Sequence, residues 1–127
     1  MIKDSKSAES LAKILSEALP YIQKFSGKIV VIKYGGSAMK ENKLRQNFAR
    51  DVALMRQIGI FPVLVHGGGP QIERNLKKHN IKSVFIDGLR KTDENSIKTI
   101  VKTLREVNGD IAELIKTWGA RTKTFND

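Results

Sequence analysis

Val30–Met39, VVIKYGGSAM, and Val63–Ile72, VLVHGGGPQI, are the two stretches on which the fold turns. Each is a run of β-branched and aliphatic residues that stops at glycines and continues into a segment able to form a helix. A parallel sheet passes its chain to a backbone-lined anion site in this way. Glycine lets a phosphate or carboxylate approach main-chain N–H groups with no Cβ in between, and a helix N-terminus behind the loop adds partial positive charge. Two such corners in one small chain point to a phosphoryl group held between strand ends.

Working outward, Leu11, Ile14, Leu15, Ala18, Leu19 and Ile22 recur at helical spacing. Ser7 or Ser10 is the expected cap, and Pro20 predicts a kink or break near Leu19. Core packing, subunit packing and a membrane surface are all open to this helix. Its polar face mixes Lys13, Lys24, Glu17 and Gln23, which argues against the membrane. Lys28–Tyr34 reads as the first strand, and Leu44, Phe48, Val52 and Met55 mark a helix that Gly59 stops. Pro62–Val65 reads as a second strand, apolar enough to be covered on both faces. Pro70 suits the first turn of the next helix, which turns Ile72 and Leu76 to the core. Ser83–Ile86 is a third strand. A further helix starts after Thr92, is interrupted at Asn108–Gly109, resumes through Trp118 and stops at Gly119. Ala120–Phe125 is a candidate fourth strand.

The fold expected is therefore α/β: a three-layer sandwich with a mainly parallel sheet, preceded by a kinked amphipathic N-terminal helix. Ligands in such sheets bind at the carboxyl ends of the strands, where both glycine corners fall.

The 127 residues fit one domain, and 40% hydrophobic content supports a packed core. No apolar run is long enough to span a bilayer. There is no cysteine and there are only two histidines, so thiolate and His-rich metal sites are excluded and none is expected. The net charge is +10, but the lysines are dispersed and few aromatics interleave them, which argues against nucleic acid. Asp4, Glu9 and Glu17 make a transit peptide improbable.

Lys33 ends an apolar strand, where its ammonium is expected to be held near Gly35–Gly36 and to neutralise charge on transferred phosphoryl oxygens. A lysine snorkelling from a strand end is the plainer alternative. The HGGG corner matches neither the Walker loop nor the dinucleotide fingerprint. Gly67–Gly69 suit a carbonyl, carboxylate or phosphoryl oxygen, and His66 is read as a structural hydrogen-bonding residue more readily than as a general base. Arg90, after Asp87-Gly88, is a candidate bidentate clamp for a carboxylate, or an ordinary surface arginine.

IKYGGSAM, FARDVALMRQIGIFPVLVHGGGPQI and FIDGLRKTD followed by VNGDIAELI resemble the amino-terminal half of the N-acetylglutamate kinases, within the amino acid kinase superfamily. The likeness runs from about Lys28 to about Gly119. It implies phosphorylation of the side-chain carboxylate of N-acetyl-L-glutamate by MgATP, in arginine biosynthesis and in the cytoplasm, with no tightly bound cofactor. It also implies roles. Lys33 stabilises the transition state, Gly35 and Gly36 line the phosphoryl path, Gly67 and Gly68 hold acetylglutamate and the transferring group, and Arg90 clamps the substrate α-carboxylate. The helix before the first strand resembles the extension of arginine-inhibited, hexameric members, so a homo-oligomer, dimer or hexamer, is expected. Residues 1–26 are then a helical extension and 27–127 the acetylglutamate-binding part. The family's ATP-binding half has no counterpart here, and the closing ARTKTFND departs from its continuation. The expectation is a truncated, inactive form with an apolar sheet edge prone to association. The alternative is a non-catalytic ligand-binding or assembly module.

Overall fold

The computed structural model describes residues 4–125. Helix α1 (Ser5–Phe25) leads into strand β1 (Ile29–Tyr34), a 3-10 turn (Gly36–Met39), helix α2 (Asn42–Gln57) and strand β2 (Phe61–His66). Helix α3 (Gly69–Lys78), strands β3 (Val84–Ile86) and β4 (Leu89–Lys91), and helix α4 (Glu94–Lys116) follow.

Strands β1 and β2 pair in parallel and in register, Ile29 beside Phe61 through Tyr34 beside His66. Backbone bonds close the pair at both ends. The Phe61 N–H donates to Lys28 O at 2.8 Å, and the Gly67 N–H donates to Tyr34 O at 3.2 Å. The α/β class with a parallel sheet is thus as the sequence predicts.

One face of the pair carries the core. Tyr34, Met39, Ala49, Val52, Ala53, Val107, Ile111, Ile115 and Ala120 form a single buried cluster, which α2 and α4 complete from above. Tyr34 stacks on Phe48 with ring centroids 3.8 Å apart. A second cluster, Ile72, Leu76 and Ile100, joins α3 to the first half of α4. Asn75 Nδ2 donates to the buried Thr103 Oγ1 (2.9 Å), which itself donates to Thr99 O, so that buried hydroxyl is satisfied.

Several expectations are corrected. The β1–β2 pair is not covered on both faces in this chain: Ile29, Val31, Phe61, Val63 and Val65 remain 43–72% exposed. Helix α1 runs unbroken through Pro20. The missing N–H deprives only the Ser16 carbonyl, which on an exposed helix solvent can serve. Its cap is Asp4, whose carboxylate accepts from the Ser7 N–H at 2.7 Å, not Ser7 or Ser10. No residue of α1 is buried. The segment 83–86 is not a third parallel strand. It turns back at Asp87 (φ 49°) and Gly88 (φ 78°) and pairs antiparallel with β4, because two consecutive left-handed residues make the tight turn that suits a hairpin. Helix α4 passes through Asn108–Gly109 without interruption. Burial of Val107, Ile111 and Ala112 outweighs the roughly 1 kcal/mol that a glycine costs in mid-helix. Residues 120–125 form no strand, since Arg121 and Lys123 leave only Ala120 and Phe125 as apolar anchors. The expected start of α4 holds: Asp93 and Ser96 form a reciprocal capping box.

Leu76 is 1% exposed and Leu89 75% exposed. Leu76→Ala is expected to cost about 2–5 kcal/mol in urea unfolding and Leu89→Ala less than about 0.5 kcal/mol; equal effects would show that the second cluster is not part of the folded core.

Candidate functional site

The parallel register sets the geometry of the site. With Tyr34 beside His66, Gly35–Gly36 and Gly67–Gly69 leave the sheet from adjacent strand ends. The Tyr34 carbonyl, just before the first corner, accepts from Gly67 in the second. Lys33, Gly35, Gly36, Gly67 and Gly68 therefore share one rim.

The first corner is pinned from below. The buried Tyr34 hydroxyl donates to Ala38 O at 3.1 Å, closing the loop that carries Gly35–Gly36. Burial pushes the Tyr34 phenol above its usual range, the nearby Arg45 offsetting this in part, so it stays a proton donor at neutral pH. Lys33 differs from expectation. It is exposed and stands on the open face of the sheet beside Val65, while Tyr34 and His66 turn to the helix-covered face. Among the described residues nothing pairs with its ammonium, so its four-carbon stem is not held in place.

The second corner opens α3. Gly68 is the N-cap and Gly69 the first helical residue, with Pro70 in the first turn. The Gly68 and Gly69 N–H groups lie where no intrahelical carbonyl can accept from them, and no other described residue does so. A Cβ at position 68 would stand 3.0 Å from Leu104 Cδ2, so a larger residue there requires the Leu104 side chain to shift. His66 is engaged at both nitrogens: Nδ1 lies 2.9 Å from Gly67 O and Nε2 3.1 Å from Asn108 Nδ2. This is the structural reading of His66.

Arg90 does not follow a third parallel strand; it lies on β4, in the separate hairpin. Its Nη1 donates to Glu73 Oε2 at 3.2 Å and to Ser83 Oγ, Ser83 donates to the same Glu73 oxygen at 2.7 Å, and the guanidinium lies over the Phe85 ring at 4.6 Å. Glu73 is four residues beyond Gly69, about 6 Å along the axis of α3. The pair thus tethers Arg90 near the same helix end that carries the glycine corner. No described residue accepts from its Nε or Nη2, the edge that suits a carboxylate.

Four contributors lay outside the sequence reading. Glu73 and Ser83 orient Arg90, Tyr34 pins the first loop, and Asn108 meets His66. Asp87-Gly88 was the available signal for the hairpin. Nothing local in the sequence announces the partners across 17 or 42 positions.

Among the described residues no group of three His, Cys, Asp or Glu side chains is placed to hold a metal ion, and no helix is long and apolar enough to cross a membrane.

Comparison with known proteins adds the following. The sequence profile of the amino acid kinase family matches residues 28–122. The acetylglutamate kinase of Aquifex aeolicus is 54% identical over 108 residues, covering 84% of this chain and 36% of that protein. The acetylglutamate kinase of Stutzerimonas stutzeri is 51% identical over 120 residues, covering 94% and 40%. This chain thus spans well under half the length of the curated relatives it matches. Among solved structures, N-acetylglutamate synthase from Neisseria gonorrhoeae, complexed with coenzyme A and N-acetyl-glutamate, superposes with a TM-score of 0.63 at 27% identity. That match covers 82% of this chain and 23% of the synthase. The same synthase with coenzyme A and L-arginine gives 0.62 at 26% identity, covering 87% and 25%.

The Ser83 hydroxyl, first, and the Arg90 guanidinium hold the Glu73 carboxyl below the usual glutamate range. A carboxyl depressed on folding stabilises the fold above its unfolded range, and that contribution fades as pH falls through the folded value. Carbon-detected NMR titration should show Glu73 protonating at lower pH than an ordinary glutamate, and Ser83→Ala should raise the midpoint. An unchanged midpoint in Ser83→Ala would remove the hydroxyl from this tether.

Proposed function

Because this chain belongs to the amino acid kinase family, we propose that it is the acetylglutamate-binding part of an acetylglutamate kinase, acting in arginine biosynthesis in the cytoplasm. Residues 27–127 are the part that binds acetylglutamate, and residues 1–26 are a helical extension. The observation that carries this reading is the in-register pairing that brings two glycine corners and the start of α3 to one rim. Its relatives at 50–54% identity bear that name.

The chemistry asks little of the protein beyond positioning and charge. The side-chain carboxylate of N-acetyl-L-glutamate is already ionised at neutral pH, so no general base is needed. One carboxylate oxygen attacks the γ-phosphorus of ATP, the bond to the β,γ-bridging oxygen breaks, and ADP leaves with that electron pair. Arg90 takes the substrate α-carboxylate on its Nε–Nη2 edge. The Gly67 and Gly68 segment supplies main-chain donors, and Gly35 and Gly36 let the phosphoryl group pass close to the backbone. Lys33, on its mobile stem, follows the charge on the equatorial oxygens. MgATP enters as a substrate, and its nucleotide is held by a part of the enzyme outside these residues, so this chain alone does not transfer phosphoryl groups.

Calorimetry on the purified chain should register acetylglutamate binding, weakened about 10–100-fold in Arg90→Ala, the range of a lost charge-assisted hydrogen-bond pair. With MgATP added, ADP release should not exceed that of the variant. A folded chain that gives no heat with acetylglutamate would sink this reading.

One observation favours an assembly role beside substrate binding. Leu11, Ile14, Leu15 and Leu19 stand 41–61% exposed along α1, and no residue of that helix is buried in its own chain. A stripe of this kind is covered by another subunit. Sedimentation should show a concentration-dependent oligomer that Leu15→Glu disperses; a monomer at all concentrations would overturn this role.

A further inference from the structure

Behind the rim, on the helix-covered side of the sheet, lies a polar pair that the phosphoryl-transfer chemistry does not use. His66 Nδ1 is 2.9 Å from Gly67 O, an atom that can only accept, so Nδ1 carries the proton. Nε2 then presents a lone pair, and Asn108 Nδ2 donates to it at 3.1 Å. The other end of that amide, Asn108 Oδ1, is buried and has no donor. The contact with His66 is thus the one hydrogen bond that orients the Asn108 side chain among the described residues. Turned over, Asn108 would set an oxygen lone pair against the Nε2 lone pair. The arrangement has a single favourable sense.

The consequence falls on the next peptide. The Gly67 carbonyl and the Gly68 N–H belong to one trans, planar amide and point in opposite directions. Holding the oxygen toward His66 aims the Gly68 N–H away from it. The preceding peptide is fixed as well, since the Gly67 N–H donates to Tyr34 O. Both amide planes flanking Gly67 are therefore locked, in a tripeptide of glycines that would otherwise be the most mobile part of the rim.

We infer that Asn108 and His66 are a positioning pair for the Gly68 amide. Asn108 holds the His66 ring by donating to Nε2, and the Nδ1–H of His66 fixes the peptide plane that presents the Gly68 N–H to the bound anion. This rests on the proposed function only for the identity of that anion. It also gives a reason for an asparagine on the buried face of α4, where an apolar side chain would leave no oxygen unsatisfied.

The test uses the whole 15N-labelled chain. Long-range 1H–15N spectra at neutral pH should show His66 as the Nδ1–H tautomer. Asn108→Leu should loosen the His66 ring, keep the Nδ1–H tautomer and move the Gly68 amide signal while leaving signals remote from the rim in place. His66→Leu should move the Gly68 signal further and weaken acetylglutamate binding about tenfold, the loss of one aligned donor. His66→Asn, whose Nδ2 falls near the position of Nδ1, should restore both. An Nε2–H tautomer in the unaltered chain, or a Gly68 signal indifferent to His66→Leu, would overturn the inference. Should Asn108→Leu fail to fold, the two His66 variants decide it. The tautomer and amide readouts need no ligand, so a chain that does not bind acetylglutamate defeats the proposed function and leaves these readouts to decide the positioning pair.

Discussion

Six residue pairs in parallel register, from Ile29 beside Phe61 to Tyr34 beside His66, are the constraint on which the rest of the molecule depends. The two strands begin together and end together. Their glycine corners therefore leave the sheet side by side, and helix α3 starts where the second corner ends. A one-residue slip of β1 against β2 would turn Tyr34 to the open face and Lys33 into the core. The hydrogen bond from Gly67 to Tyr34 O extends the register into the loops and so ties local backbone shape at the rim to pairing in the sheet.

Around that pair the chain divides its labour between the two faces. The covered face holds nearly everything that gives the fold its stability: the stacked Tyr34 and Phe48, the small residues of α2 that let it approach closely, and the long apolar stripe of α4. The same face holds the polar supports of the rim, the Tyr34 hydroxyl beneath the first corner and the His66–Asn108 contact beneath the second. The open face bears Lys33 among aliphatic side chains. Rigidity thus lies behind the backbone donors, and mobility lies with the one long cation, a division that suits a reaction in which the anion must be held while charge moves across it.

Much of this is legible in the residues themselves, and the failures share a cause. Runs such as KIVVIKY and the apolar FPVLV identify strands because period and composition agree, and the glycines mark where those strands end. The presence of helices α2, α3 and α4 follows from apolar spacing together with the glycine and proline signals at their ends, though not the continuity of α4. What the sequence does not reveal is competition between local signals and tertiary burial. Pro20 and Asn108–Gly109 read as breaks, yet the helices continue, in one case because solvent serves the freed carbonyl and in the other because flanking residues are buried. Asp87-Gly88 reads as a strand-end loop because a parallel pattern had been established upstream, although the dipeptide is a hairpin turn on its own chemistry. The residue types proposed for the site, Lys33, the glycines and Arg90, can be read from the sequence. Their supports, Glu73, Ser83 and Asn108, cannot, because a side-chain contact across the fold leaves no periodic trace.

The hairpin that carries Arg90 has only three residues in each strand and a turn of two left-handed residues. So short a ribbon has no length over which to average an error. Asp87 and Gly88 alone decide which residue of β4 lies opposite Phe85, and the cation is delivered to the acid on α3 by that choice. Lengthening the turn by a single residue would leave every strand, helix and core contact intact, yet aim the guanidinium at water on the far side of the ribbon. The electrostatics of this end of the molecule are thus under the control of a backbone corner that carries no functional group of its own in the site.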